Sequence, residues 1–286
     1  MELLINILLK VEIYILFIVA LNSLMLGKLD LWSIGNIVYF SIGAFITGYL
    51  SNILSVSGFS LYLIFIIVPI LVSIVSLLFF RISNILKEDF FLFFSIFIIE
   101  LNFVFNNILA GPSGYSHIKR PALLNSDLAL LLLTFFLLLL IFIWIYRFDK
   151  SRLNKIYSVI RNNQILAKSI GIDISKKKLP IFITSAIISG LAGILFAFYS
   201  YGADPTIFST NEIIILFTLI LFSGVDSIKG SVIAGFLYVF LSFFLNSVLS
   251  NSMQIIAPKI SQIIFGVLLI LIPFILPKGI FGKRNI

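Results

Sequence analysis

LWSIGNIVYFSIGAFITGYLSNILSVSGFSLYLIFIIVPILVSIVSLLFF fills positions 31–80 and contains no charged side chain. One membrane crossing takes about twenty apolar residues, so a run of fifty holds two crossings. Ser57-Gly58 reads as the turn between them. The rest of the chain is of the same kind, with 60% apolar and 11% charged residues and mean hydropathy +1.18. A soluble domain carries about a quarter charged residues, and so few charges cannot cover a fold for water. Further apolar segments lie at 11–27, 90–110, 128–146, 179–200, 211–224, 231–250 and 260–276. The fold class is therefore an all-α integral membrane protein with eight or nine transmembrane helices in one domain, 1–286. Segment 211–224 is short. Segment 31–51 carries Gly35, Gly43 and Gly48 and is a candidate broken or re-entrant helix, tolerable only where protein or a wet cavity satisfies its backbone.

The long polar island is RFDKSRLNKIYSVIRNNQILAKSIGIDISKKK, residues 147–178. It has nine Lys or Arg against Asp149 and Asp173, which is +7 of the chain's +8. Basic loops mark the cytoplasmic side. With 147–178 inside, the C-terminal Lys278, Lys283 and Arg284 fall inside, as do Arg81 and Lys87. Loop 201–211, with Asp204 and no base, falls outside, as does 111–127 despite Lys119 and Arg120. The expected location is the cell membrane, with multiple crossings. The N-terminus lacks the basic start and cleavage site of a signal peptide and is expected to be retained. Charge so localised also speaks against nucleic acid as a partner.

Chemistry is sparse. There is no cysteine and one histidine, His117, which excludes thiolate and His-cluster metal sites. Gly224-Val-Asp-Ser-Ile-Lys-Gly-Ser231 has the wrong spacing for a phosphate loop. The chain reads as a non-enzyme with no cofactor of its own. Glu100 sits mid-span in FFSIFIIELNFVFNN. An acid there costs about 2.5–3.5 kcal/mol on insertion scales, so it should face a bundle interior or a wet path. A polar contact on a substrate pathway and an interhelical hydrogen bond both fit. Ser185, Ser189, Gly193 and Ala197 recur every four residues, with Gly190 beside them, a pattern that permits close helix approach within the subunit or along a pore. Leu153, Ile156, Tyr157 and Ile160 form an apolar stripe at helical spacing, with Arg152, Lys155 and Arg161 off it. Gly171 ends a second helical stretch from Asn163. Such a unit lies at lipid headgroups or in a partner's groove.

Four stretches resemble one family, the permease subunits of bacterial ABC importers of the branched-chain amino acid type (LivH/LivM). LWSIGNIVYFSIGAF, 31–45, is similar to its S-x-G-H-x-x-F-x-x-I-G-A-Y segment, matching at Ser33, Gly35, Ile42, Gly43 and Ala44, with Asn36 in place of histidine. Asp89, Glu100, Gly111 and Gly114 match a G-D-Y lead, a membrane glutamate and a glycine loop. The basic residue that usually follows the glutamate is absent. Ile160-Arg-Asn-Asn-Gln-Ile-Leu-Ala-Lys-Ser-Ile-Gly-Ile172 is similar to I-R-E-N-E-x-A-A-x-x-x-G-I, matching at Arg161, Asn163, Ala167, Gly171 and Ile172. Gly224, Ser227 and Gly230, then Pro277, Gly279 and Gly282, match G-G-x-G-S-x-x-G and P-x-G-L-x-G.

The resemblance implies a permease subunit of an ABC importer for branched-chain amino acids or a similar small polar solute. Its implied partners are two cytoplasmic ATPase subunits that bind the ATP, a second permease (same or different) and an extracytoplasmic binding protein. It implies a coupling-helix loop in which Arg161, Asn163, Ala167, Gly171 and Ile172 meet the ATPase. Ser33, Gly35, Asn36, Ser41, Gly43 and Glu100 become pathway candidates, and Ser185, Ser189, Gly190 and Gly193 helix-packing candidates. The alternatives are a permease for urea or another small solute and a self-powered secondary transporter. The latter usually needs several deep acids, and only Glu100 is deep.

Overall fold

The computed structural model describes residues 2–29, 35–53, 60–85, 88–111, 113–205, 210–248, 257–276 and 278–282. The Ser57-Gly58 turn, Ser33 and Pro277 lie outside these residues. The long helices in chain order are α1 Glu2–Leu29, α2 Asn36–Ile53, α3 Ile64–Ile85, α4 Glu88–Ala110 and α5 Asp127–Lys150. Two short helices follow, α6 Arg152–Asn162 and α7 Gln164–Ser169. Then come α8 Ile174–Ser200, α9 Thr210–Ser223, α10 Ile228–Val248 and α11 Ala257–Ile275. Among the described residues four helices are long and apolar enough to cross a membrane: α1, Leu61–Ile82, α5 and α8. Ser95–Ile108, Ile228–Phe244 and Ile263–Ile272 are shorter apolar stretches. The chain is an all-α integral membrane protein.

α8 is the axis of the bundle. It packs against α1, α2 and α3, and most of its apolar span is buried, whereas little of α5 is. The sequence pattern explains the difference. α8 alternates small residues with Phe182, Ile194 and Phe198, each fully buried, so neighbours can approach it on all sides. α5 carries leucine all round and shows Leu132, Phe135 and Phe136 outward, as a lipid-facing helix does.

α1 begins nine residues earlier than the expected segment 11–27. Lys10 and Glu12, two charges in its first half, are both used inside the fold. Thr134 of α5 donates to the Glu12 carboxylate, and the Lys10 ammonium lies 5.9 Å from the Tyr238 ring centre. Within α1 the stretch Ala20–Leu26 winds as a π-helix, a rare geometry that is frequent at functional sites. α2 is an unbroken helix from Asn36, with that residue already buried against α8. α9 has fourteen residues, about 21 Å of helix, which is why 211–224 looked short.

The elements sort to two ends. At one end Lys28, Asp149, Arg161 and Asp226 meet, and Gly224 abuts Gly279 and Gly282. Loop 147–178 and the segment 278–282 therefore share this end. At the other end Tyr115–Ser116 pairs antiparallel with Gly202–Ala203. Glu2 lies here, lining a cavity with Tyr199, so the described N-terminus and loop 147–178 are at opposite ends.

At the second end Arg120 closes α8. Its Nε donates to the Phe198 carbonyl at 2.7 Å, its NH1 donates to Asp127 at 2.6 Å, and its guanidinium lies 4.1 Å from the Tyr201 ring centre. A basic group here satisfies a last-turn carbonyl and the helix dipole. Asp127 balances its charge, so of the two basic residues in 111–127 only Lys119 is exposed. Arg120→Ala is expected to lower stability by about 2 kcal/mol, since charge-assisted hydrogen bonds are worth roughly 1.5–3 kcal/mol. A thermal-unfolding scan in detergent checks this, and an unchanged midpoint would contradict it.

Candidate functional site

The polar island folds as two helices with a locked inner face. α6 ends where Asn163 breaks the helix, and Asn163 then caps α7 by accepting from the Leu166 amide at 3.0 Å. Asparagine at this position satisfies one of the orphan donors of a helix start. Gly171 stops the chain with φ +82°, and the Gly171 and Ile172 amides donate back to Lys168 and Ala167 at 3.0 Å each. This is the double bond of a glycine-terminated helix. Asp173 then caps α8. The Lys176 amide donates to its carboxylate at 3.2 Å and holds it below the usual carboxylate range.

Ile160, Ala167 and Ile174 form the small core of this unit, with Ile156, Val159 and Ile172 against it. Tyr157 donates to the Lys177 carbonyl at 2.8 Å, and burial pushes its phenol above the ordinary range. Of the expected stripe, Ile156, Tyr157 and Ile160 face inward; Leu153, in the first turn, is exposed. The outer side of α7 exposes apolar side chains beside Lys168 and Ser169: Ile165 is 82% exposed, Leu166 53%, and Ile170, just past its end, 61%.

Arg161 departs from the expectation drawn from periodicity. It lies off the apolar stripe yet turns inward. Its NH1 donates to the Gly27 carbonyl and reaches Asp226 Oδ2 at 3.3 Å. The other Asp226 oxygen takes Lys28 Nζ at 2.9 Å, and Lys28 also donates to Asp149 at 2.5 Å. Lys28 is 1% exposed. Behind the cluster Asn22 is wholly buried, and the two N–H bonds of its Nδ2 are shared among Ser223 Oγ, the Gly224 carbonyl and Ser231 Oγ at 2.9–3.0 Å. Asn22 accepts from the Asp226 amide at 3.2 Å. Sequence reading missed Asn22, Lys28, Asp149 and Asp226 as a group. The one available signal was an amide and a lysine inside an apolar span, which require internal partners.

The pathway and packing candidates fall into separate places. Asn36 Nδ2 donates to Ser185 Oγ at 2.6 Å and to Ser189 Oγ at 3.3 Å, while Ser185 donates to the Ala20 carbonyl at 3.1 Å. Ser41 accepts from Asn102 and Asn106 at 2.9 and 3.0 Å, so those two amides lie on one side of α4. Gly35 is buried. Gly43 lies on Gly190, and Gly193 on the Phe40 carbonyl, so close that neither site has room for a Cβ. Asn36, Ser41, Gly43, Ser185, Ser189, Gly190 and Gly193 are thus brought together within the α2–α4–α8 packing. Glu100 is not among them. It is exposed on the opposite side of α4, beside the exposed Phe97, Leu101, Val104 and Phe105.

These features define a polytopic helical membrane subunit with a docked polar helix pair at one end. The chain matches the family described as "Branched-chain amino acid transport system / permease component" over residues 3–273, and it belongs to that family. It is also 23% identical over 189 residues to a probable branched-chain amino acid transport permease protein LivM of Methanocaldococcus jannaschii. That alignment covers 63% of this chain and 55% of the relative, so the chain spans about half the length of the curated relative it matches. No solved structure matches it.

Proposed function

We propose that this chain is the transmembrane permease subunit of an ABC importer, working in the cell membrane with loop 147–178 and the C-terminal segment on the cytoplasmic side. It forms part of the pathway for branched-chain amino acids or a similar small polar solute. The supporting observation is the α6–α7 pair. Its inner face is fixed by the Ile160–Ala167–Ile174 core, and the outer side of α7 exposes Ile165 and Leu166. A rigid short helix with bare Ile165, Leu166 and Ile170 suits a hydrophobic groove on a second protein. That protein is the ATPase subunit, which binds the ATP. An extracytoplasmic binding protein delivers substrate at the opposite end.

A second permease subunit, identical or not, covers α4. An exposed carboxyl on an apolar helix face is costly against lipid, and Glu100 sits on such a face. In the assembly it faces the shared pathway. Glu100→Gln is therefore expected to slow uptake severalfold while leaving the amount of folded subunit unchanged, because Glu100 is exposed within its own chain. Uptake measured at matched protein levels checks this. Loss of folded subunit with normal specific uptake would assign Glu100 to packing instead.

Affinity purification of the tagged protein from mild detergent, with its companions identified, tests the whole reading. Recovery of an ATPase and a permease partner supports it. Capture of the chain without an ATPase, even after crosslinking, turns the reading to a self-powered transporter. Uptake by the reconstituted assembly separates branched-chain amino acids from urea and other small solutes.

A further inference from the structure

The α6–α7 pair is fastened to the bundle by charge as well as by apolar contact. Asp149, at the end of α5 just before α6, takes Lys28 from one side; Arg161, at the end of α6, takes Asp226 from the other. Lys28 also contacts Asp226. Two cations and two anions make a neutral, mostly buried group. We propose that the Lys28–Asp149–Asp226–Arg161 cluster is the joint through which displacement of α6–α7 reaches the membrane helices, acting on the π-helical stretch Ala20–Leu26. This rests on the importer reading above.

Three observations carry it. First, contacts run continuously inward from the cluster. Arg161 and Asp226 lead to Asn22, which lies within the π stretch. In that same stretch the Ala20 carbonyl accepts from Ser185 of the central helix α8, and Ser185 accepts from Asn36 of α2. Second, a π bulge puts one extra residue into an α-helix and is frequent at functional sites. Third, Arg161 Nε is buried with no hydrogen-bond partner among the described residues. Buried donors are normally satisfied, so the guanidinium keeps a donor for a second arrangement of the same partners. Ion pairs can exchange partners over short displacements, whereas packed apolar faces cannot slide without opening voids.

Spatial continuity alone does not establish coupling, so the test reads coupling itself. The complete importer in proteoliposomes is assayed for solute uptake and ATP hydrolysis together, and the ratio is the readout. Lys28→Met with Asp149→Asn removes one cation and one anion. It leaves Arg161 and Asp226 paired, which avoids an uncompensated buried charge. This variant is expected to assemble, to hydrolyse ATP and to take up about tenfold less solute per ATP, within the usual range of coupling between sites. Arg161→Lys keeps the charge but loses the planar fork and is expected to give a smaller fall. A ratio equal to that of the unmodified protein in the double variant overturns the joint. Failure of both variants to assemble also overturns it and marks the cluster as a clamp. If the unmodified protein itself yields no ATPase partner, the importer reading fails first and the joint with it.

Discussion

Gly193→Leu is expected to abolish recovery of folded protein. A Cβ at position 193 would land on the Phe40 carbonyl and within 3.0 Å of the Ala44 amide. The obstruction is backbone, not a side chain that can swing away, so α2 and α8 would have to separate along their shared face. Overpacking costs typically about 1–3 kcal/mol, occasionally more. Here it would also strip the close approach that replaces the hydrophobic drive between helices in lipid. The Asn36–Ser185 bond lies at the same crossing and would go with it. Gly43→Leu should act alike, since its Cβ meets the Gly190 carbonyl. Gly266→Ala is the control, because nothing lies within 4 Å of a Cβ there. Detergent-solubilised yield and the elution profile on size exclusion give the readout. A monodisperse Gly193→Leu protein at normal yield would contradict the packing account.

Ile165→Asp combined with Ile170→Asp is expected to do the opposite: a folded, correctly inserted permease that has lost its ATPase. Both side chains point away from the chain's own core, at 82% and 61% exposure, so carboxylates there stay hydrated and cost the isolated subunit little. Against an apolar groove each would lose its water without gaining a partner, a penalty of several kcal/mol per ion. A loss of that size removes micromolar binding. Co-purification of the ATPase should vanish while permease yield holds. Retention of the ATPase with both substitutions would move the docking surface elsewhere.

The difference between these experiments follows what could be read along the chain. The α6–α7 unit was legible because its determinants are local. Asn163 caps, Gly171 needs φ > 0, and Ile156, Tyr157 and Ile160 share one side of a helix within eight residues of each other. The uncharged run 31–80 and the small residues of α8 were legible for the same reason. The ion cluster was not. Lys28 and Asp226 lie 198 residues apart and Arg161 reaches Gly27 across 134. No periodicity encodes a pairing at that distance. Arg161 shows the limit within a single element: its position on α6 was plain, but the direction of its side chain depended on Asp226, beyond three further helices. Glu100 is the reverse case. Its depth stood out at once, yet its own chain leaves it exposed.

The contact between Gly224 and the segment Lys278–Gly282 has a consequence for how this sequence can drift. Gly224 and Gly279 both have positive φ; a Cβ on Gly279 would land on Gly224, and a Cβ on Gly224 would land on Gly282 and the Lys278 carbonyl. The Ile280 amide donates to the Phe222 carbonyl at 2.9 Å across the same contact. The two motifs are halves of one joint folded from distant parts of the chain, so neither can vary alone. Among relatives, a side chain at position 224 should appear only with a rebuilt or displaced tail, and chimaeras that exchange the tail should work only when they carry their own 222–230 turn with it.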